Sequence, residues 1–470
     1  MKKTKIVATI GPATESEEML TKMLKAGMNV MRLNFSHGDF PEHQNRVNNL
    51  RSVMKKTGQH AAILQDLGGP KIRLGEFYQE RVDLKTGDKI VITTEKIVGD
   101  EKKVSISYKE FPKEVKPGDK VMVDDGKKQF EVLSIKGNEV TCKIIVGGNT
   151  KGRRGVNLPD TDISMSCLTE KDLKDVEFGI KNKVDFIALS FVRKPSDIVE
   201  LREILKKKKC DAGIIAKIET PQAVKNIDEI ISLVDGLMIA RGDLAIEVPY
   251  QKVPGYQKMM IQKCNDAGKP VITATQMMES MIKSPVATRA EVSDVANAIL
   301  DGTDAVMLSE ETTLGEFPIN AVTVMATVAS EIEANYPERE IVRVGINGDT
   351  KISDSITSSV VKTAHDVGAK VIVALTDSGF TARMVSRHKP NAMIIALTPH
   401  ERTSNKLCLS FGCKSLTVPR YDSIQDVIKM VRTYCLKEKI VKKGDKVVVA
   451  GGVPFNTKGL STNMLMVEVI

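Results

Sequence analysis

Short apolar runs rich in β-branched residues alternate along most of this chain with longer stretches in which apolar positions recur every three or four residues. The first pattern predicts buried strands and the second amphipathic helices. The strand-like runs are 5–10, 29–35, 61–67, 184–191, 213–219, 236–243, 270–276 and 304–310. Between most of them lie helical segments, 16–26, 42–56, 170–181, 196–208, 222–233 and 289–300. Eight strands with interposed helices predict an α/β fold, a (β/α)8 barrel.

The rhythm breaks twice. From Pro70 to about Ser166, runs such as DKIVITT, GDKVMVDDG and NEVTCKIIVGG alternate with Gly turns and show no helical period, which predicts a small β-barrel domain inserted after the third strand. The second break, at 334–353, holds Pro337, Gly345 and Gly348. Strand–helix alternation then resumes through 370–376, 392–398, 415–418 and 446–450, as in a doubly wound α/β domain. The expected division is therefore 1–70 with 167–335 as the barrel, 71–166 as a lid-like insertion, and 349–470 as a C-terminal regulatory domain.

Composition narrows the class. The chain has 470 residues, enough for several domains, and a net charge of +9 spread among 27% charged residues of both signs. That balance argues against disorder and against a nucleic-acid-binding arm. Aromatics are only 4% and Trp is absent, so the core is built of aliphatic residues and Met, as in helix-covered parallel sheets. Seven scattered Cys without C-x-x-C spacing predict neither a disulfide framework nor structural zinc, and point to a reducing cytoplasm. The start, MKKTKIVATIGPATESEE, reads as a first strand rather than a secretory signal, and no run is long enough to span a membrane.

Polar residues gather at the predicted strand ends, where such barrels carry their chemistry. Strand two closes with Arg32, Asn34, Ser36 and His37, strand three with Asp66, and strand five with Lys217 and Glu219. Strand six closes with Arg241 and Asp243, strand seven with Thr273, Thr275 and Gln276, and strand eight with Ser309, Glu310 and Glu311. A polar cap explains any one of these as well as function does; it does not explain six converging ends. Glu219 and Asp243 close adjacent strands, so their carboxylates can share a hard divalent cation, and Mg²⁺ suits such a pair because water and substrate phosphate complete its octahedron. Arg32 and Lys217, with Arg73 as a further candidate, add the fixed positive charge that a transferring phosphoryl group requires. No G-x-x-x-x-G-K-[ST] loop or G-x-G-x-x-G fingerprint is present.

These segments are together specific. MNVMRLNFSHG, DLGGPKIR, VDDG, KGRRGVNLPD, IIAKIET, GLMIARGDL, VITATQMMESMI and TRAEVSDVANAILDGTDAVMLSEET resemble pyruvate kinase, in order and across the whole chain. The resemblance implies phosphoryl transfer from phosphoenolpyruvate to ADP, giving pyruvate and ATP, the last step of glycolysis. It implies Mg²⁺ on Glu219 and Asp243, with Mn²⁺ a substitute and a second ion arriving with the nucleotide. Lys217 then faces the phosphoryl group, supported by Arg32 and Arg73, while the backbone N–H groups of Gly242 and Asp243 receive the substrate carboxylate. Thr275 takes part in protonating the enolate carbon through water. Asn34, His37, Arg73 and Lys151 are candidates for the nucleotide. A homotetramer is implied, with TRAEVSDVANAILDG near one contact and the C-terminal domain at another.

Two departures stand out. Many relatives carry Asp-Thr-Lys-Gly-Pro-Glu where this chain has Asp66, Leu67, Gly68, Gly69, Pro70 and Lys71. The Glu-bearing members require K⁺; here Asn34, Ser36, Asp66 and Lys71 stand at the equivalent site, and the expectation is that K⁺ is not required. Ala245 also replaces the usual Gly of RGDLG. In the C-terminal domain Thr376, Ser378, Gly379 and Thr381 resemble the family's allosteric phosphate loop, which implies a sugar phosphate or AMP as effector; a plain helix cap is the alternative. Two rival functions remain at this point. A Mg²⁺-dependent mutase or aldolase barrel accounts for Lys217, Glu219 and Asp243 but lacks the insertion, and an RNA-binding protein needs clustered cations with aromatics, which the chain does not show.

Overall fold

The computed structural model describes residues 2–335, 351–437, 439–455, 457 and 459–470. Eight parallel strands close into a barrel: β1 Lys5–Thr9, β2 Val30–Asn34, β3 Ala62–Asp66, β4 Phe186–Leu189, β5 Gly213–Ile218, β6 Gly236–Ala240, β7 Val271–Ala274 and β8 Ala305–Leu308. Each strand neighbours the next in sequence, and β1 pairs with β8 to close the ring.

Why the chain folds this way is local. The helix Glu17–Ala26 starts at Ser16, whose hydroxyl accepts the Met19 N–H, and ends at Gly27. Glu170–Lys181 and Arg289–Asp301 start at reciprocal caps from Thr169 and Thr288. The helical pattern over 222–233 resolves into two helices, Pro221–Lys225 and Ile227–Leu233, because the Asn226 amide turns inward to donate to the Arg193 carbonyl at 2.8 Å.

Between β3 and β4 the insertion builds its own core around Phe111, Phe130 and Ile90. Its strands form one six-stranded sheet whose two edges are bridged by Arg73 to Gly155 and Leu74 to Ile106, in keeping with the expected small β-barrel, and a separate ribbon in which Arg81–Leu84 pairs with Gly148–Lys151. In the C-terminal domain Cys413–Thr417, Met393–Thr398, Val371–Leu375 and Lys446–Gly451 run parallel, with separate apolar clusters on the two faces of the sheet. Met464–Val469 adds an antiparallel edge strand that the sequence reading lacks. The break with Pro337, Gly345 and Gly348, and the start of 349–470, fall outside the described residues.

Every barrel strand ends one to three residues earlier than expected, and at three of them the chain turns at once. β4 stops before Phe191, whose φ is 55°, and β7 stops before Thr275 and Gln276, at φ 67° and 54°. β6 stops at Ala240, and Arg241 already opens a short helix, Arg241–Glu247. Left-handed backbone at non-glycine residues turns these side chains across the barrel mouth, where the polar residues collect.

Candidate active site

Alternate residues of a strand face the same side. Val7, Val30, Leu64, Ala188 and Ile215 fill the barrel interior. Two positions further along the same strands, Thr9, Arg32, Asp66, Ser190 and Lys217 face the mouth.

These residues form one buried charge network. Arg32 donates from Nε to Asp66 Oδ2 at 2.7 Å and from Nη1 to Thr9 Oγ1 at 2.8 Å. Lys217 Nζ lies 2.8 Å from Ser190 Oγ, 2.9 Å from Glu219 Oε1 and 3.3 Å from Asp66 Oδ1. Burial works against the charge on Lys217, but Asp66 and Glu219 outweigh it and raise its pKa well above the usual lysine value. Burial likewise works against ionising Asp66, but Lys217 and Arg32 hold its carboxyl below the usual range. The ammonium is therefore a fixed charge, with each of its three hydrogens provided with an acceptor.

Glu219 is only 1% exposed, and its Oε2 accepts the Phe191 N–H at 2.7 Å. Burial and the nearby Asp243 carboxylate raise its pKa, against the pull of Lys217. Two carboxylates close enough to repel in a buried setting are a donor set for a hard cation. Among the described residues no group of three or more His, Cys, Asp or Glu has metal-binding geometry. The pair thus fits an ion that keeps most of its sphere for water and substrate, as Mg²⁺ does.

Beside the carboxylates, Gly242 N–H donates to Thr275 Oγ1 at 2.8 Å, and Thr275 in turn donates to the Ala274 carbonyl at 2.6 Å. Arg241 is structural: it grips both oxygens of Asp294 at 2.6 Å and donates to the Thr275 carbonyl at 2.9 Å, fixing the left-handed turn. Ala245 lies within the Arg241–Glu247 helix and needs no positive φ.

A cleft of about 180 Å³ separates this mouth from the insertion. Arg73, Lys71 and Asp243 line it, joined by residues the sequence reading missed: Arg154, Asn157 and Glu247. Asn157 of the insertion donates to Glu247 Oε1 at 2.6 Å, linking the two sides. Burial first, then Asp243 and Glu219, push the Glu247 carboxyl up to about 7. Lys151 does not line the cleft; it sits on the two-stranded ribbon, 2.8 Å from Glu80. Arg154 instead reaches the cleft and faces Asp124 at 3.4 Å. Asn34 accepts the Ser36 N–H at 3.1 Å, His37 is exposed beside them, and neither Asn34 nor His37 lines the cleft. Lys71 is exposed and makes no hydrogen bond or ion pair among the described residues, so its ammonium does not touch Asp66 here.

In the C-terminal domain Thr376, Ser378 and Thr381 line a second cavity, of about 340 Å³, together with Arg420, Tyr421 and Phe455. Thr381 Oγ1 lies 2.9 Å from Thr462 Oγ1. Gly379, at φ 81°, gives the loop its turn.

Two family patterns match the chain: "Pyruvate kinase, barrel domain" over residues 1–322 and "Pyruvate kinase, alpha/beta domain" over 354–468. It is 45% identical over 474 residues to a pyruvate kinase of Clostridium acetobutylicum and 44% identical over 476 residues to one of Clostridium perfringens, with both chains of each pair fully covered. A Geobacillus stearothermophilus pyruvate kinase is 44% identical over 473 residues, covering 100% of this chain and 80% of that protein. Among solved structures, a pyruvate kinase of Cryptosporidium parvum superposes with a TM-score of 0.95 at 37% identity, covering 100% of this chain and 96% of the other.

Proposed function

Since the chain belongs to the pyruvate kinase family, we propose that the buried network at the barrel mouth is where it moves a phosphoryl group from phosphoenolpyruvate to ADP, releasing pyruvate and ATP. The transfer itself is the family's activity, and the family uses a divalent metal. The proposal concerns which residues of this chain do what. The observation that carries it is the Lys217 ammonium, fixed by Ser190, Glu219 and Asp66 among inward-facing strand ends.

Lys217 opposes the negative charge that spreads over the equatorial oxygens of the transferring group, and Arg32, anchored on Asp66, adds a second cation from β2. Glu219 and Asp243 would hold Mg²⁺, with Mn²⁺ as an alternative, and such an ion would supply charge neutralisation for substrate oxygens there. Gly242 and Asp243 offer backbone N–H groups to the substrate carboxylate, the first of them now taken by Thr275 Oγ1. Released from that bond, the Thr275 hydroxyl is free to order the water that protonates the enolate carbon. Arg73 and Arg154 face the nucleotide phosphates from the insertion side of the cleft, with Arg154 replacing Lys151 in that role. Asn34 and His37 lie on the barrel side. The division into 1–70 with 167–335, 71–166 and 349–470 suits this reading, because it makes the insertion a cover for the nucleotide.

The finer cofactor reading is that K⁺ is not required. Leu67 has no side-chain oxygen to offer a monovalent cation, the Asp66 carboxylate already has Arg32 and Lys217, and Lys71 carries a tethered ammonium on the neighbouring cleft between mouth and insertion. Thr376, Ser378, Gly379 and Thr381 are read as the cradle for a phosphorylated effector, a sugar phosphate or AMP, and the assembly as a homotetramer. No helix among the described residues is long and apolar enough to cross a membrane, and the seven Cys are free, which suits a cytoplasmic setting. A coupled assay with ADP, phosphoenolpyruvate and Mg²⁺ tests the function. Absence of pyruvate and ATP formation in all three-component mixtures would overturn it.

A further inference from the structure

We propose that Ser190 is a positioning residue, through which the connection between barrel and insertion sets the aim of the Lys217 ammonium. The inference rests on the catalytic reading of Lys217 given above.

The chain crosses between barrel and insertion twice, and both crossings grip the same short segment after β4. At the first crossing, Ser190 donates its hydroxyl proton to the Leu67 carbonyl at 2.7 Å. Two residues on, Gly69 passes so close that a Cβ there would meet Ser190 Cβ at 2.9 Å and Phe191 Cδ2 at 2.8 Å. At the second crossing, Cys167 Sγ donates to the Phe191 carbonyl at 2.8 Å, and the Met165 carbonyl accepts from Arg193. The other side of that segment faces the site. Ser190 Oγ accepts from Lys217 at 2.8 Å, and the Phe191 N–H donates to Glu219 Oε2 at 2.7 Å.

A hydroxyl has one proton and two lone pairs. With the proton committed to Leu67, the lone pairs of Ser190 are directed at Lys217, and the direction is set by where the Leu67 carbonyl lies. Asp66 Oδ1, at 3.5 Å, is too distant to compete for that proton. Phe191 is held at φ 55°, a conformation that a bulky residue keeps only where its surroundings impose it. Contacts from both crossings supply that constraint. A shift of the Leu67–Gly69 backbone therefore re-aims Ser190, and with it the charge that meets the phosphoryl group. Ser190 is not itself required to touch substrate.

The test is a double-mutant cycle with Lys217. Ser190→Ala is expected to lower turnover at least tenfold, with the apparent KM for phosphoenolpyruvate changed less than threefold. Added to Lys217→Met, the same change is expected to lower the residual turnover less than twofold, because its route of action is already gone. Equal losses in the two backgrounds, or wild-type turnover of Ser190→Ala, would overturn the inference and leave the role of Lys217 standing. Near-normal turnover of Lys217→Met overturns both readings. If Ser190→Ala does not fold, Ser190→Cys keeps the volume, weakens both hydrogen bonds and serves in the same cycle.

Discussion

Lys217 Nζ and Glu219 Oε1 lie 2.9 Å apart, two residues apart on one strand end, so an ammonium and a carboxylate that are both largely buried offset each other's desolvation. A divalent cation held by Glu219 would compete with Lys217 for the same carboxylate oxygen, so the proposed metal site and the ammonium share one anion.

Glu219→Gln and Asp243→Asn are each expected to raise the Mg²⁺ concentration needed for half-maximal rate by at least about tenfold, since each removes one of two anionic ligands. Mg²⁺ titrations that leave both variants at the wild-type midpoint would move the ion elsewhere.

Glu247 gives a pH signature in metal-free buffer. Its folded pKa, about 7, lies above the ordinary 4.5, so the stability linked to it is full below about pH 4.5 and is lost as pH rises through 7. Glu247→Gln removes the titrating group while keeping a partner for Asn157. Thermal melts of the variant are therefore expected to show a shallower decline between pH 4.5 and 7 than the wild type; identical slopes would mean that Glu247 titrates normally.

Much of this was legible in the sequence, and the failures have local causes. Alternation of short apolar runs with amphipathic stretches suffices for eight strands, because buried parallel strands have no other signature. The converging polar ends were visible for the same reason. Ser190 was not: a lone hydroxyl at the close of an apolar run looks like any capped strand end until its partners are known. Glu247 left a usable signal, since it stands four residues after Asp243 and shares its helix face. In the KGRRG segment the cations are interchangeable by composition. Backbone decides between them: Lys151 still pairs with the ribbon opposite Arg81, whereas Arg153 turns at φ 59° and sends Arg154 to the cleft.

The monovalent-cation reading predicts nearly equal activity in sodium-free buffers of K⁺ or tetramethylammonium at matched ionic strength, and lower activity for Lys71→Glu. A wild-type rate that climbs more than about tenfold on adding K⁺, or about 1.4 kcal/mol of barrier, would contradict it.

Removing the hydroxyls of Ser378 and Thr381 together is expected to abolish activation by whichever sugar phosphate or nucleoside monophosphate stimulates the wild type, while basal turnover stays within about twofold. Activation that survives would exclude this loop. Light scattering of the same preparations is expected to give a tetramer mass, and a monomer at micromolar concentration would refute the assembly reading.

The most direct test of the account is the turnover of Lys217→Met at saturating ADP, phosphoenolpyruvate and Mg²⁺. A fixed charge that acts mainly on the transition state leaves substrate affinity nearly intact and lowers kcat by about a thousandfold when removed. That is the expected result, with circular dichroism and melting showing a folded chain. A folded variant with near-normal kcat would contradict the central claim that this ammonium carries the phosphoryl transfer.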